Sequence, residues 1–101
     1  MNPFELKKAI EEKLVTVIDP ETGADVIRMA LVQDIRVTEA GDITYKFRPS
    51  SPLCPIAVPL ALSIIQAISE VPGITRQKIT VVDYVEADQL NDILKTMLEG
   101  G

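Results

Sequence analysis

The sequence predicts an α+β fold, a two-layer sandwich whose three-stranded mixed sheet arises from the order helix-strand-strand-helix-strand-helix. Three observations carry this. Ile43, Tyr45 and Phe47 alternate with Thr44, Lys46 and Arg48, the two-residue period of a strand with one buried and one wet face. From Pro55 to Val71 the chain is apolar nearly all round a helix, the pattern of a helix buried on more than one side. After it, Lys78 to Val85 is β-branched and mainly apolar, and a strand entered through a crossover helix lies parallel to the strand before that helix.

Each element has a local reason. Asn2-Pro3-Phe4-Glu5 reads as a helix start, with Asn2 as N-cap, Pro3 at the first helical position and Glu5 placed for a capping box. Leu6, Ala9, Ile10 and Leu14 then recur at helical spacing. Val15 to Ile18 is a short apolar segment, and Asp19-Pro20-Glu21-Thr22-Gly23 is a turn whose carboxylates are expected to be solvated. Leu31 to Thr38 and Asp42 to Arg48 are two strands of a hairpin, where Gly41 supplies a positive φ. The covering helix begins at Pro55. Because Pro59 has no N–H to bond back to Pro55, its first turn is expected to be loose, overwound or offset to begin later. Val71-Pro72-Gly73 ends that helix, and Glu86 to Glu99 closes the chain as a packing helix with Leu90, Ile93, Leu94, Met97 and Leu98.

Composition narrows the function. A chain of 101 residues is read as one domain, 1–101, able to bury its own core. A net charge of -5 disfavours nucleic acid and anionic membranes, and the apolar run from Pro55 to Ile65 is too short to span a bilayer. One Cys excludes an internal disulfide, and with no signal peptide at the start a reducing cytoplasm is expected. The absence of His removes the commonest general base and metal ligand, so no enzyme is expected.

The stretch Ser51-Pro52-Leu53-Cys54-Pro55 carries the chemistry. Pro55 at a first helical position would set Cys54 at or beside the N-cap, where the helix's positive end favours a thiolate. A lone cysteine is also a common apolar filler.

Four segments in order carry a resemblance: Asp19-Pro20-Glu21-Thr22-Gly23, Ile27 to Ile35, Ser50-Ser51-Pro52-Leu53-Cys54-Pro55, and Val71-Pro72-Gly73. They resemble the small iron-sulfur cluster assembly domain shared by SufT, PaaD and eukaryotic cytosolic iron-sulfur targeting factors. The resemblance implies a role in maturing iron-sulfur proteins. It points to Asp19, Glu21, Asp34 and Cys54, with Ser50 where the family has threonine and with Ser51 and Pro55 in the same motif. Arg28, Ala30, Gln33 and Leu53 stand where the family usually has aspartate, glycine, tyrosine and glycine, and the family's Pro-Pro-Trp type segment is replaced by Glu86-Ala87-Asp88.

Clusters normally take four thiolates, and this chain has one. Iron or an iron-sulfur cluster would therefore be held transiently and shared, through Cys54 with carboxylates such as Asp19 and Glu21, a second subunit, or a client. The expected partners are the assembly machinery or its clients, and the apolar central helix leaves a homodimer open. Two other readings compete. One is a PaaD-like docking module of a multisubunit partner that handles no cluster; the other is a thiol enzyme, for which a His and a resolving Cys are missing.

Overall fold

The computed structural model describes residues 2–100, with side chains through Leu98; Met1 and Gly101 of the expected domain lie outside the described residues. Helix α1 (Pro3–Leu14) is followed by strands β1 (Val32–Val37) and β2 (Asp42–Phe47), helix α2 (Ala57–Ser69), strand β3 (Arg76–Val81) and helix α3 (Ala87–Gly100). The sheet runs β1-β2-β3, antiparallel between β1 and β2 and parallel between β2 and β3. This is the expected α+β order and mixed sheet.

The local signals act as their chemistry requires. Asn2 Oδ1 accepts the Glu5 N–H at 2.8 Å and caps α1, whose Leu6, Ile10 and Leu14 are buried. Helix α1 packs against both α2 and β1, so a helix covers the second apolar side of α2. The core joins Ile43, Tyr45 and Phe47 of the sheet to Leu60, Ala61, Ile64 and Ile68 of α2. Tyr45 keeps its phenol in this core by donating to Gln77 Oε1 at 2.8 Å, and burial pushes that phenol's pKa well up. At the far end Lys13 Nζ lies 2.9 Å from Glu70 Oε1; Lys13, helped by Gln66, holds the Glu70 carboxyl below its ordinary range.

Helix α2 starts two residues later than Pro55. Ile56 is its N-cap, and the Leu60 N–H makes the first helical bond, to Ile56 C=O at 3.0 Å. The cause is Pro59. A start at Ala57 makes Pro59 the third helical residue, where its missing N–H would have no partner in any case. Cys54 is thereby removed from the N-cap position and sits in a turn, with its N–H bonded to Ser51 C=O at 3.1 Å. Strand β3 also differs from expectation: it spans Arg76–Val81, in register with β2 from Asp42↔Arg76 to Phe47↔Val81. It ends where its partner ends, with Val82 N–H bonding Phe47 C=O at 3.0 Å.

The two outer strands of the sheet end differently. Strand β1 carries a bulge between Gln33 and Arg36, with Asp34 at φ 53°. Strand β3 has no such interruption, and Asn91 of α3 clamps its outer edge at one residue: Asn91 Oδ1 accepts the Val81 N–H at 2.6 Å and Asn91 Nδ2 donates to Val81 C=O at 3.0 Å.

Candidate functional site

The segments between the strands build the site. After Leu14 the chain forms a compact turn in which Asp19 N–H bonds Ala24 C=O, Gly23 N–H bonds Asp19 C=O, and Ile18 bridges to Asp25. Asp19 is not solvated as a turn carboxylate would be: it is fully buried, its Oδ1 accepting the Glu21 N–H at 2.8 Å and its Oδ2 lacking a hydrogen-bond partner among the described residues. Glu21 is exposed.

The chain then passes through Met29 and Ala30 into β1, and these residues face the segment leaving β2 across a cavity of about 210 Å³. Gln33, Arg48, Ser50 and Asp83 also line it. Gln33 Nε2 donates to Ala30 C=O at 2.7 Å, and Arg48 Nε lies 3.1 Å from Asp83 Oδ2. Two lining residues hold positive φ without being glycine, Ala30 at 57° and Asp83 at 53°. Such a conformation costs about 1 kcal/mol or more for an L-residue with a Cβ. Ala30→Gly is expected to stabilise the fold by about 0.5–1 kcal/mol, read as a higher urea midpoint with an unchanged slope. A lower midpoint would mean that the Ala30 methyl packs usefully.

Ser50 is therefore gathered with Ala30 and Gln33, the segment that the resemblance singles out. Asp34 stands on the bulge, exposed, 3.2 Å from Lys46 Nζ. Ser51 Oγ accepts the Leu53 N–H at 3.2 Å and shapes the turn, and Pro55 is exposed. Cys54 is a free thiol, 3% exposed and packed in the core. Its chain neighbour Leu53 is 73% exposed, and Val85, which is bonded to the same segment, is 65% exposed. Among the described residues the only main-chain bond from residues 49–53 to a distant segment is Val85 N–H to Pro52 C=O, at 2.9 Å.

The donor set does not fit a resident cluster. The unpaired Asp19 oxygen is the one feature suited to a cation, yet among the described residues no three His, Cys, Asp or Glu side chains converge. Cys54, Asp19 and Glu21 are thus not one ligand set. What the arrangement offers is a single buried thiol directly after a short loop that exposes Leu53.

Sequence reasoning missed Met29, Arg48 and Asp83. An aspartate following a β-branched run is a signal for Asp83, because aspartate tolerates the left-handed conformation. Nothing local pairs it with Arg48.

A family model described as iron-sulfur cluster assembly protein matches residues 7–81, a span that includes the cavity residues up to Pro52 and Cys54. The chain is similar to the Fe-S protein maturation auxiliary factor YitW of Bacillus subtilis, 29% identical over 77 residues, 76% of this chain and 76% of that protein. It is similar to an uncharacterized protein of Methanocaldococcus jannaschii, 28% identical over 89 residues, 88% of this chain and 94% of that protein. An iron-sulfur cluster carrier protein of Mycobacterium leprae is 27% identical over 97 residues, and there the chain spans only 24% of the relative. A crystal structure of a Bacillus anthracis domain of unknown function, DUF59, superposes with a TM-score of 0.73 at 25% identity, over 79% of this chain and 76% of that one.

Proposed function

Because the chain belongs to the iron-sulfur cluster assembly protein family, we propose that it is a maturation factor that works by protein contact, with Cys54 as the one thiolate it contributes to iron or a cluster in transit. The metal is cargo on this reading. The chain has one Cys and no His, so a client, an assembly protein or a second copy supplies the other ligands. No substrate is turned over. A site short of ligands also releases its cargo readily, which a carrier needs.

The observation that carries the reading is the position of Cys54 inside the matched span, buried and directly after a loop tied to the rest of the chain through Pro52 and Val85. With the thiol 3% exposed, contact with metal follows opening of that loop. The exposed Leu53 in that loop and Val85 bonded to it give a partner apolar surface with which to favour the open form.

The test is anaerobic reconstitution with iron and sulfide, comparing visible absorption, iron content and size-exclusion mass for the wild-type chain and Cys54→Ala. A chromophore on a species larger than the monomer, lost in Cys54→Ala, is the expected result. The substitution is expected to cost about 1 kcal/mol, so the variant stays folded and circular dichroism checks it. A chromophore of equal intensity in the variant would remove Cys54 from the role.

Burial of the thiol favours a second reading, a docking module that binds a multisubunit partner without handling metal. No chromophore in either protein, with a captured partner indifferent to Cys54→Ala, is the result that reading expects.

A further inference from the structure

Strand β3 has an outer edge with backbone to spare. In a parallel ladder successive residues turn their N–H and C=O groups alternately toward the partner strand and away from it. Val82 bonds to Phe47 of β2, so Val81, Ile79 and Gln77 present theirs outward. At Val81 that outward pair is met by the Asn91 carboxamide, which donates and accepts as a peptide group would. At Ile79 and Gln77 the outward main-chain groups have no partner among the described residues. They open instead into a groove of about 1000 Å³ between β3 and α3, whose floor and walls run from Ile74 to Leu98.

The lining has a definite chemistry. Along β3, Gln77, Ile79 and Val81 alternate toward the core with Arg76, Lys78 and Thr80 toward the solvent face of the sheet. On the core side the groove meets Ile74, Ile79 and Leu98; on the solvent side it meets Arg76 and Lys78, with Lys95 on the α3 wall. Among the described residues none of these three cations is in an ion pair, and Asp92 is the carboxylate in the lining. This is a basic groove on a chain of net charge -5.

We propose that the groove between β3 and α3 binds an extended segment of a partner protein, in which acidic and apolar residues alternate, as an added strand on β3. The segment's main chain bonds to Gln77 and Ile79. Its acidic side chains lie beside Arg76 and Lys78 on the solvent face, and its apolar side chains turn inward to Ile74, Ile79 and Leu98. Main-chain pairing supplies affinity in such strand addition, and the alternating side chains supply selectivity. The other outer strand does not offer the same surface, because a bulge at Asp34 breaks its ladder. The inference is independent of Cys54 and of cargo handling.

The test uses the full chain and a fluorescein-labelled peptide of alternating Glu and Val, as long as the 6 residues of β3. Anisotropy is read together with amide hydrogen exchange. The expected result is saturable binding that weakens with salt, falls about tenfold or more in the double variant Arg76→Glu, Lys78→Glu, and slows exchange at Gln77 and Ile79. Both substituted side chains are exposed, and circular dichroism and the urea midpoint confirm that the double variant is folded. Equal binding of a Lys-Val peptide, binding without slowed exchange at Ile79, or no binding at millimolar peptide would each overturn the proposal.

Discussion

Gly41→Ala is expected to destabilise the fold by about 2–4 kcal/mol, one of the largest effects of any single methyl in this chain. Two costs coincide at this position. Gly41 turns the hairpin between β1 and β2 with φ at 89°, a conformation that residues with a Cβ resist. The added Cβ would also fall on the carbonyl oxygen of Gly73 and crowd Thr75, whose N–H bonds Gly41 C=O at 3.0 Å and whose hydroxyl donates to Ala40 C=O at 2.8 Å. The obstacle is backbone, so no side-chain rotamer relieves it. Because the same contact joins the hairpin tip to the start of β3, the damage reaches the parallel pairing of β2 with β3. Equilibrium urea unfolding checks this, and a loss below about 1 kcal/mol would mean that the tip and the turn after α2 separate at little cost.

Phe47→Ala is expected to cost more, about 3–5 kcal/mol, the range for emptying a large buried aromatic site. Phe47 is fully buried at the end of β2, paired with Val32 on one side and Val81 on the other, so its ring lies where all three strands meet the helices. For a domain of this size the loss corresponds to a melting temperature lower by more than about 10 °C. Phe47→Leu, which keeps most of the volume, is expected to lose about 1.5 kcal/mol or less. A comparable loss from both variants would point to ring shape, and not to the cavity, as the source of the cost.

Periodicity sufficed wherever one chain segment decides its own fate. The alternation of Ile43, Tyr45 and Phe47 and the stripe Leu6, Ile10, Leu14 appear in the structure as read. It did not suffice where a neighbour decides. Tyr84 and Val85 have strand-forming side chains, but β2 ends at Phe47 and leaves them nothing to pair with. Pro59 signals a disturbed first turn of α2, and the disturbance takes the form of a later start. Cys54 stands out in the sequence as the lone thiol, but its burial is not encoded locally, because it lies in a turn ahead of the helix and joins the core of the whole domain. Ala30 was marked by the resemblance as standing in place of a glycine, and its φ of 57° gives the physical reason a glycine suits that position. Arg48 and Asp83 meet only because a crossover returns the chain to β2, and no local pattern encodes that.

The hydrogen bond from Val85 to Pro52 carries a consequence for timing. If opening the loop before Cys54 requires that bond to break, then access to the thiol and release of the Val85 amide proton are one event seen by two probes. On the carrier reading proposed above, the tempo of transfer would then be set inside the protein, by how often a short loop lets go. On the same reading, a partner that presses on the exposed Leu53 or Val85 would change that tempo without touching sulfur.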